Sequence, residues 1–307
     1  MAVIPNARVW NRGDQTARSA QGPDDRVVSR SEGRPRPGLR VHVVRKAFSD
    51  PPVLVHEDLA LEAAPGEFLA VVGPSGAGKS TLLSLLAGLD RNFDGRIEGT
   101  APSRSGQLGM VFQQPRLMPW LSALENVVLV LNEPAEARHR AVAALTEVGL
   151  DAFAGAFPRQ LSGGMQRRVA LARAFAVEPE LLLLDEPFSS LDRPAAWQLR
   201  AVLLALWSAH APTVVLVTHD LREALCLADR VLFLSARPAS VILEVPVSLA
   251  RPRPPDGPEI ETLERALLEA HPRLLSGILG PDPPAAEPPS ATLPGKDPTP
   301  RPGNDEP

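Results

Sequence analysis

Gly73-Pro74-Ser75-Gly76-Ala77-Gly78-Lys79-Ser80-Thr81 fits the pattern G-x-x-x-x-G-K-[ST], and what flanks it decides the fold. The apolar run from Phe68 to Val72 feeds into it and reads as a buried strand, and Thr81-Leu82-Leu83-Ser84-Leu85-Leu86-Ala87 leaves it with a helical pattern. A strand, a glycine-rich loop and a helix in that order make a phosphate-binding loop. Glycines let backbone N–H groups curl round an anion, and the helix that follows presents its positive end to the same anion. In this frame Lys79 reaches the β- and γ-phosphates of a nucleotide and Ser80 ligates Mg²⁺. The whole stretch is therefore a candidate nucleotide cradle: Gly73, Pro74, Ser75, Gly76, Ala77, Gly78, Lys79, Ser80 and Thr81.

Composition sets the outer limits. The 307 residues suffice for one large domain or two small ones, and the apolar content of 44% is ordinary for a globular protein. The net charge of −4 argues against a strongly basic nucleic-acid surface. One cysteine, Cys226, excludes an internal disulfide, fits a reducing compartment and reads as buried packing. The longest apolar runs are strand-sized, and the N-terminus lacks the apolar core of a signal peptide, so a membrane role would have to come through a partner. Much of the proline, 34 residues in all, sits toward the ends.

Residues 1–38 are polar and aperiodic and read as a disordered arm; Arg26, Arg30, Arg34, Arg36 and Arg40 could brush an anionic lipid surface, but a solvated tail is the favoured reading. Order is expected from Leu39, with an alternating strand over residues 39–44 and two further short strands at Val53-Leu54-Val55 and Leu59-Ala60-Leu61. A nucleotide-binding domain then spans 39–250, and its helix-rich part covers about 115–176, broken near Pro134 and Pro158. Ser122-Ala123-Leu124-Glu125 has the capping-box pattern of a helix start. A C-terminal extension with one helix occupies 251–279, and a Pro-rich disordered tail occupies 280–307.

Later stretches narrow the chemistry. Leu181-Leu182-Leu183-Leu184 is a strand buried on both faces, ending in Asp185-Glu186. Adjacent residues of a strand point to opposite sides, so Asp185 supports Mg²⁺ while Glu186 faces the γ-phosphate and polarises an attacking water. Ser162-Gly163-Gly164 precedes a helical pattern and offers a second phosphate-binding helix end, although the same three residues alone would be an ordinary cap. His219 follows the buried strand Thr213–Thr218; on its own such a histidine reads as structural, and beside the phosphate loop it can donate to a γ-phosphate. The remaining histidines have no such setting and read as structural.

Taken together these stretches resemble the nucleotide-binding subunit of an ATP-binding cassette (ABC) transporter. Gly73–Ser80 matches that family's Walker A motif and Leu181–Glu186 its Walker B. Leu161-Ser162-Gly163-Gly164-Met165-Gln166 matches its signature motif, and Gln113 after Val111-Phe112 its Q-loop, with Gln114 as the neighbouring alternative. Ser189-Ser190-Leu191-Asp192 matches the D-loop and His219 the switch histidine, in the family's order over residues 39–245. The resemblance implies an α/β P-loop NTPase (RecA-like) cassette with an antiparallel β subdomain and an α-helical subdomain. It further implies ATP and Mg²⁺ as ligands, with Glu186, His219 and Gln113 catalytic and Ser80, Gln113 and Asp185 at the metal. Ser162, Gly163, Gly164 and Asp192 join the nucleotide contacts. The adenine of such proteins commonly stacks on a tyrosine; this chain has none, and Phe48 stands at the matching place with the stacking face and no hydroxyl.

The family's mechanism implies a head-to-tail homodimer that sandwiches two ATP molecules, a membrane permease as direct partner, a solute-binding protein as indirect partner, no nucleic acid, and a peripheral place on the cytoplasmic face of the membrane. The run Phe112-Gln113-Gln114-Pro115-Arg116-Leu117-Met118-Pro119-Trp120 is similar to importers of nitrate, sulfonate and taurine. An ABC ATPase of another transport system, or one acting outside transport, is the alternative. The single cassette without a long heptad segment and the intact Glu186 and His219 weigh against non-transport and non-hydrolysing readings.

Overall fold

Short continuous apolar runs can satisfy their backbone only by pairing with one another, and here they do so mostly in parallel. A computed structural model describes residues 7–10, 38–99 and 108–279. The chain order begins with β1 (Arg8–Val9), β2 (Leu39–Ser49), β3 (Pro52–Ala63) and β4 (Phe68–Val72). The phosphate loop leads into α1 (Lys79–Leu86), followed by β5 (Asp94–Glu98) and β6 (Leu108–Val111). Three helices come next, α2 (Ala123–Val128), α3 (Pro134–Glu147) and α4 (Gly163–Phe175), and then β7 (Leu181–Asp185). The last part holds α5 (Arg193–His210), β8 (Thr213–Thr218), α6 (Leu221–Leu227), β9 (Arg230–Leu234), β10 (Val241–Pro246) and α7 (Pro258–Ala270).

The strands form a large sheet in the order β1-β10-β9-β4-β8-β7-β6 and a small antiparallel sheet in the order β3-β2-β5. In the large sheet β9, β4, β8, β7 and β6 are mutually parallel, with β10 and β1 added antiparallel at one edge. Side chains of β4 alternate between two apolar layers: Phe68, Ala70 and Val72 join the layer of helices α4 to α6, whereas Leu69 and Val71 join α1 and the small sheet. Leu181 to Leu184 of β7 divide in the same way. A helix layer, a sheet and a second layer around α1 reproduce the α/β cassette expected from the sequence.

The Ser122–Glu125 pattern forms the box it predicts: the Glu125 N–H donates to Ser122 Oγ at 3.2 Å and the Ser122 N–H donates to Glu125 Oε2 at 2.7 Å. Asn126, fully buried one residue later, gives its side-chain N–H groups to the carbonyls of Met118, Leu121 and Ser122 and so fixes the turn that exposes Trp120.

Three expectations change. Residues 7–10 fall inside the stretch read as a disordered arm; instead Arg8 and Val9 pair with Glu244 and Leu243, and the Trp10 N–H donates to the Ile242 carbonyl at 3.0 Å. Two edge residues carry no periodic signal, so only their partner strand reveals them. The two strands expected at 53–55 and 59–61 are one continuous strand, β3. The C-terminal extension, read as a change of character after Arg251, is tied into the core. Arg253 is buried and donates to the carbonyls of Leu225, Ala228, Val247 and Leu249, while Arg251 bonds Asp229 at 2.6 Å and lies over the Trp207 ring. These guanidinium groups satisfy carbonyls at the C-terminal end of α6, where the helix leaves them without partners. Helix α7 then packs against α6 through Ile260 and Leu267, and Arg222 of α6 bonds Glu264 of α7 at 2.6 Å. Arg26, Arg30, Arg34 and Arg36, and the tail expected at 280–307, lie outside the described residues.

Burial pushes the Arg253 guanidinium down to about 10, a measure of how dry its surroundings are. Arg253→Ala is expected to lower the free energy of unfolding by about 3 kcal/mol, since several buried carbonyls lose a charged donor together. Denaturant unfolding of the full chain measures this; a loss below about 1 kcal/mol would mean that these carbonyls find other partners.

Candidate active site

The parallel strands end at a common edge. Val72 of β4 is level with Thr218 of β8, and Asp185 of β7 is level with Val217 of β8. Gly73, Glu186 and His219, each just beyond a strand end, therefore open onto one space.

The loop after β4 owes its shape to glycine. Gly76 and Gly78 have φ of 79° and 88°, in the left-handed region that other residues avoid. A Cβ on Gly78 would also stand 2.3 Å from Val55 Cγ1 and 2.8 Å from His56 Cε1, so the loop can lie against β3 only without a side chain there. Gly78 is also the N-cap of α1 and supplies no side-chain acceptor, which leaves the first N–H groups of the helix directed at the loop. Lys79 is buried; its ammonium donates to the carbonyls of Gly73 at 2.8 Å and Pro74 at 3.1 Å. Burial lowers its pKa, opposed by the nearby carboxylates of Glu186 and Asp185.

The carboxylates arrive from β7. Ser80 Oγ donates to Asp185 Oδ1 at 3.1 Å, joining the two residues assigned to Mg²⁺. Burial raises the Asp185 pKa, and the Ser80 hydrogen bond opposes that rise. Oxygen donors of this kind, a hydroxyl and a carboxylate, suit a hard cation that also keeps waters and phosphate oxygens. Glu186 takes a left-handed φ of 41° while its N–H donates to the Val217 carbonyl at 3.0 Å. This strained turn, unusual for a residue with a side chain, swings its carboxylate across the site. One oxygen lies 4.0 Å from Lys79 Nζ and the other 3.2 Å from His219 Nδ1.

Lys79, Ser80, Asp185, Glu186 and His219 are thus brought together. The loop residues from Gly73 onward belong to this group through Lys79, and the remaining expected site residues come from other elements. Gln113 is exposed beyond β6, whose Val111 is level with Leu184 of β7, so it emerges on the same sheet edge as Asp185. Ser162 caps α4, its Oγ accepting from the Met165 N–H at 3.2 Å, and Ser162 and Gly163 are exposed. Asp192 caps α5 by accepting from the Ala195 N–H at 2.8 Å. Phe48 is exposed, and its ring lies 4.6 Å from the ammonium of Lys46, which is itself buried against Asp90 and the Asn92 carbonyl.

Several residues near the site carried no sequence signal. Arg167 of α4 donates to the carbonyls of Pro187 (2.6 Å) and Ser189, and Arg173 of α4 donates to those of Pro115 and Arg116, both at 2.9 Å. The exposed Arg237 packs beside Gly76, where a Cβ would come within 2.9 Å of its Nη2. His56 is fully buried behind Gly78, and neither ring nitrogen has a partner in good hydrogen-bond geometry. Only contact across strands exposes such roles.

The ABC transporter family model matches residues 56–189. The chain is 44% identical over 235 residues to the aliphatic sulfonates import ATP-binding protein SsuB 1 of Pseudomonas savastanoi pv. phaseolicola, covering 76% of this chain and 96% of that protein. It is 48% identical over 233 residues to SsuB 3 of Nocardia farcinica, covering 76% and 90%. Among solved structures, the dimeric post-hydrolysis state of the ATP-binding cassette MJ0796 bound to ADP and Pi superposes with a TM-score of 0.60 at 31% identity, covering 69% of this chain and all of that one.

Burial lowers the His56 pKa from 6.5 to about 4. The folded state therefore holds the neutral ring while the unfolded chain takes up a proton from about pH 6.5 downward. The associated stability is complete above pH 6.5 and is lost as the pH falls toward 4, up to about 3 kcal/mol. His56→Gln is expected to flatten the pH dependence of unfolding in this window; parallel curves for wild type and variant would contradict the assignment.

Proposed function

The chain belongs to the ATP-binding subunits of ABC transporters, and we propose that it energises import of an organosulfonate-type solute through a head-to-tail dimer of itself. It is an ATPase of an importer. The observation that carries the mechanism is the Glu186 carboxylate, held between Lys79 and His219 above the phosphate loop.

In this reading the N–H groups of the loop and of the first turn of α1 bind the β- and γ-phosphates, and Lys79 offsets their charge. Ser80 and Asp185, with Gln113 as a further oxygen donor, would hold Mg²⁺, which when bound would supply charge neutralisation for the phosphates. Glu186 orients the attacking water and accepts its proton, and His219 donates to the γ-phosphate. Phe48 gives a flat exposed face to the adenine. The second half of each site comes from Ser162, Gly163 and Gly164 of another copy, with the D-loop at Asp192 beside it. Because ATP binds both surfaces, the departure of its γ-phosphate after hydrolysis removes contacts that hold the pair and lets it reopen.

No helix among the described residues is long and apolar enough to cross a membrane. The proposed place is accordingly peripheral, on the cytoplasmic face of the membrane, bound to a permease that works with a solute-binding protein. The sulfonate assignment follows the relatives' names and the Phe112–Trp120 run; nitrate and taurine are the neighbouring solutes that a transport assay with the permease separates.

Glu186→Gln is expected to bind ATP, to accumulate as an ATP-bound dimer on size exclusion, and to lose on the order of 10²-fold or more in kcat. Near-normal turnover of that variant with its permease would remove Glu186 from the mechanism. Lys79→Ala is expected to weaken ATP binding by about tenfold or more, the worth of a charge-assisted phosphate contact; unchanged affinity in a nucleotide titration would count against the loop.

A further inference from the structure

His219 is an exposed side chain, yet its imidazole has to meet Glu186 in one orientation. What holds it lies beneath. Thr218, buried at the end of β8, donates through Oγ1 to Glu223 Oε2 at 2.9 Å. On the other side of the histidine, Asp220 caps α6 by accepting from the Glu223 N–H at 3.1 Å, and the Asp220 N–H returns to Thr218 Oγ1 at 3.0 Å. Both chain neighbours of His219 are thus bound to one residue, Glu223, through its carboxylate and through its backbone.

Glu223 is buried, and its second oxygen accepts from Arg200 Nη2 at 3.1 Å. Arg200 belongs to α5, the helix that starts at Asp192, and its guanidinium lies 5.2 Å from the Phe188 ring, two residues beyond Glu186. Glu186, Ser189, Arg200, His219 and Glu223 all line one cavity of about 310 Å³. A carboxylate so enclosed persists only where its partners are fixed, because an unpaired buried charge is costly.

We propose that Glu223 is a positioning residue that holds His219 against Glu186 and, through Arg200, links the histidine to the helix that follows the D-loop. The proposal rests on the ATPase mechanism above and concerns how its switch residue is kept in place. Movement of α5 when two copies close would reach His219 by this one ion pair and one hydrogen bond.

The test uses the full chain with its permease and compares Glu223→Ala, Glu223→Gln, Thr218→Val, His219→Ala and the double variant Glu223→Ala/His219→Ala. Glu223→Ala is expected to lower kcat about tenfold with KM for ATP within about twofold. Glu223→Gln, which keeps an oxygen for Thr218, should recover most of that loss, and Thr218→Val should lose a smaller share. The ratio of ATP to ADP affinity should fall in Glu223→Ala, as in His219→Ala, with no further fall in the double variant. Wild-type kcat in both Glu223→Ala and Thr218→Val, or equal successive losses in the double variant, would overturn the proposal. Should Glu223→Ala fail to fold, Glu223→Gln and Thr218→Val decide by the same ratio. If His219→Ala itself hydrolyses ATP at the wild-type rate, it is the mechanism that fails and not the positioning alone.

Discussion

Parallel hydrogen bonding between β4, β8 and β7 is the constraint on which the site depends. It sets Val72 beside Thr218 and Asp185 beside Val217, so three chain segments leave the sheet at one edge. The register is enforced by side chains that take no part in chemistry. Each strand is buried on both faces, with alternate residues in different apolar layers, so a slip by one residue would exchange every side chain between layers of different shape. The polar residues beyond the strand ends inherit that precision. Ser80 meets Asp185 and His219 meets Glu186 because the apolar residues of β4, β7 and β8 have one good packing.

A second constraint acts on the loops, which have no ladder to satisfy their carbonyls. Arginine supplies the donors. Arg167 and Arg173, six positions apart on α4, hold the backbone on the way to the D-loop and the backbone beyond the Q-loop respectively. A forked guanidinium suits this work because it can donate to two carbonyls at once. Burial lowers the pKa of both groups, and both remain cations at neutral pH. The consequence is mechanical. Helix α4 begins with Ser162-Gly163-Gly164, so any displacement of that helix end has to be accommodated at residues 115–116 and 187–189 together.

The parts of this structure that sequence made legible are those with local signals. The glycine loop between a strand and a helix, the capping box at Ser122 and Glu125, the buried strands before Asp185 and His219, and the breaks at Pro134 and Pro158 all depend on residues a few positions apart. What was not legible depends on distant partners. Arg251 and Arg253 sit in an Arg-Pro run at the start of the C-terminal extension, and their role exists only because α6 ends beside them. β1 is visible only from β10. The left-handed φ of Glu186 follows from the Val217 carbonyl on another strand, and the contact of His56 with Gly78 from the packing of β3 against the loop. The stacking face of Phe48 is visible in the sequence; the Lys46 ammonium beside it, paired with Asp90, depends on a strand-to-loop contact that no spacing encodes.

The two helix ends proposed to bind phosphate also constrain each other. That of α1 carries no side-chain cap and is backed by Lys79, so its N–H groups and a cation face the loop. That of α4 is capped by Ser162, and Gly164 stands near α5, with a Cβ that would be 3.5 Å from Ala195 Cβ. Because Arg167 ties α4 to the segment between β7 and α5, the Ser162 end cannot swing toward Lys79 without disturbing the strand end that positions Glu186. Closure within one chain would therefore dismantle the catalytic edge. In the proposed pairing each end meets its complement on a second copy, and a two-fold arrangement satisfies both at once, since each copy offers one end of each kind. ATP bound at such a junction has contacts to lose when its γ-phosphate leaves, which is the differential affinity that a nucleotide-driven motion requires.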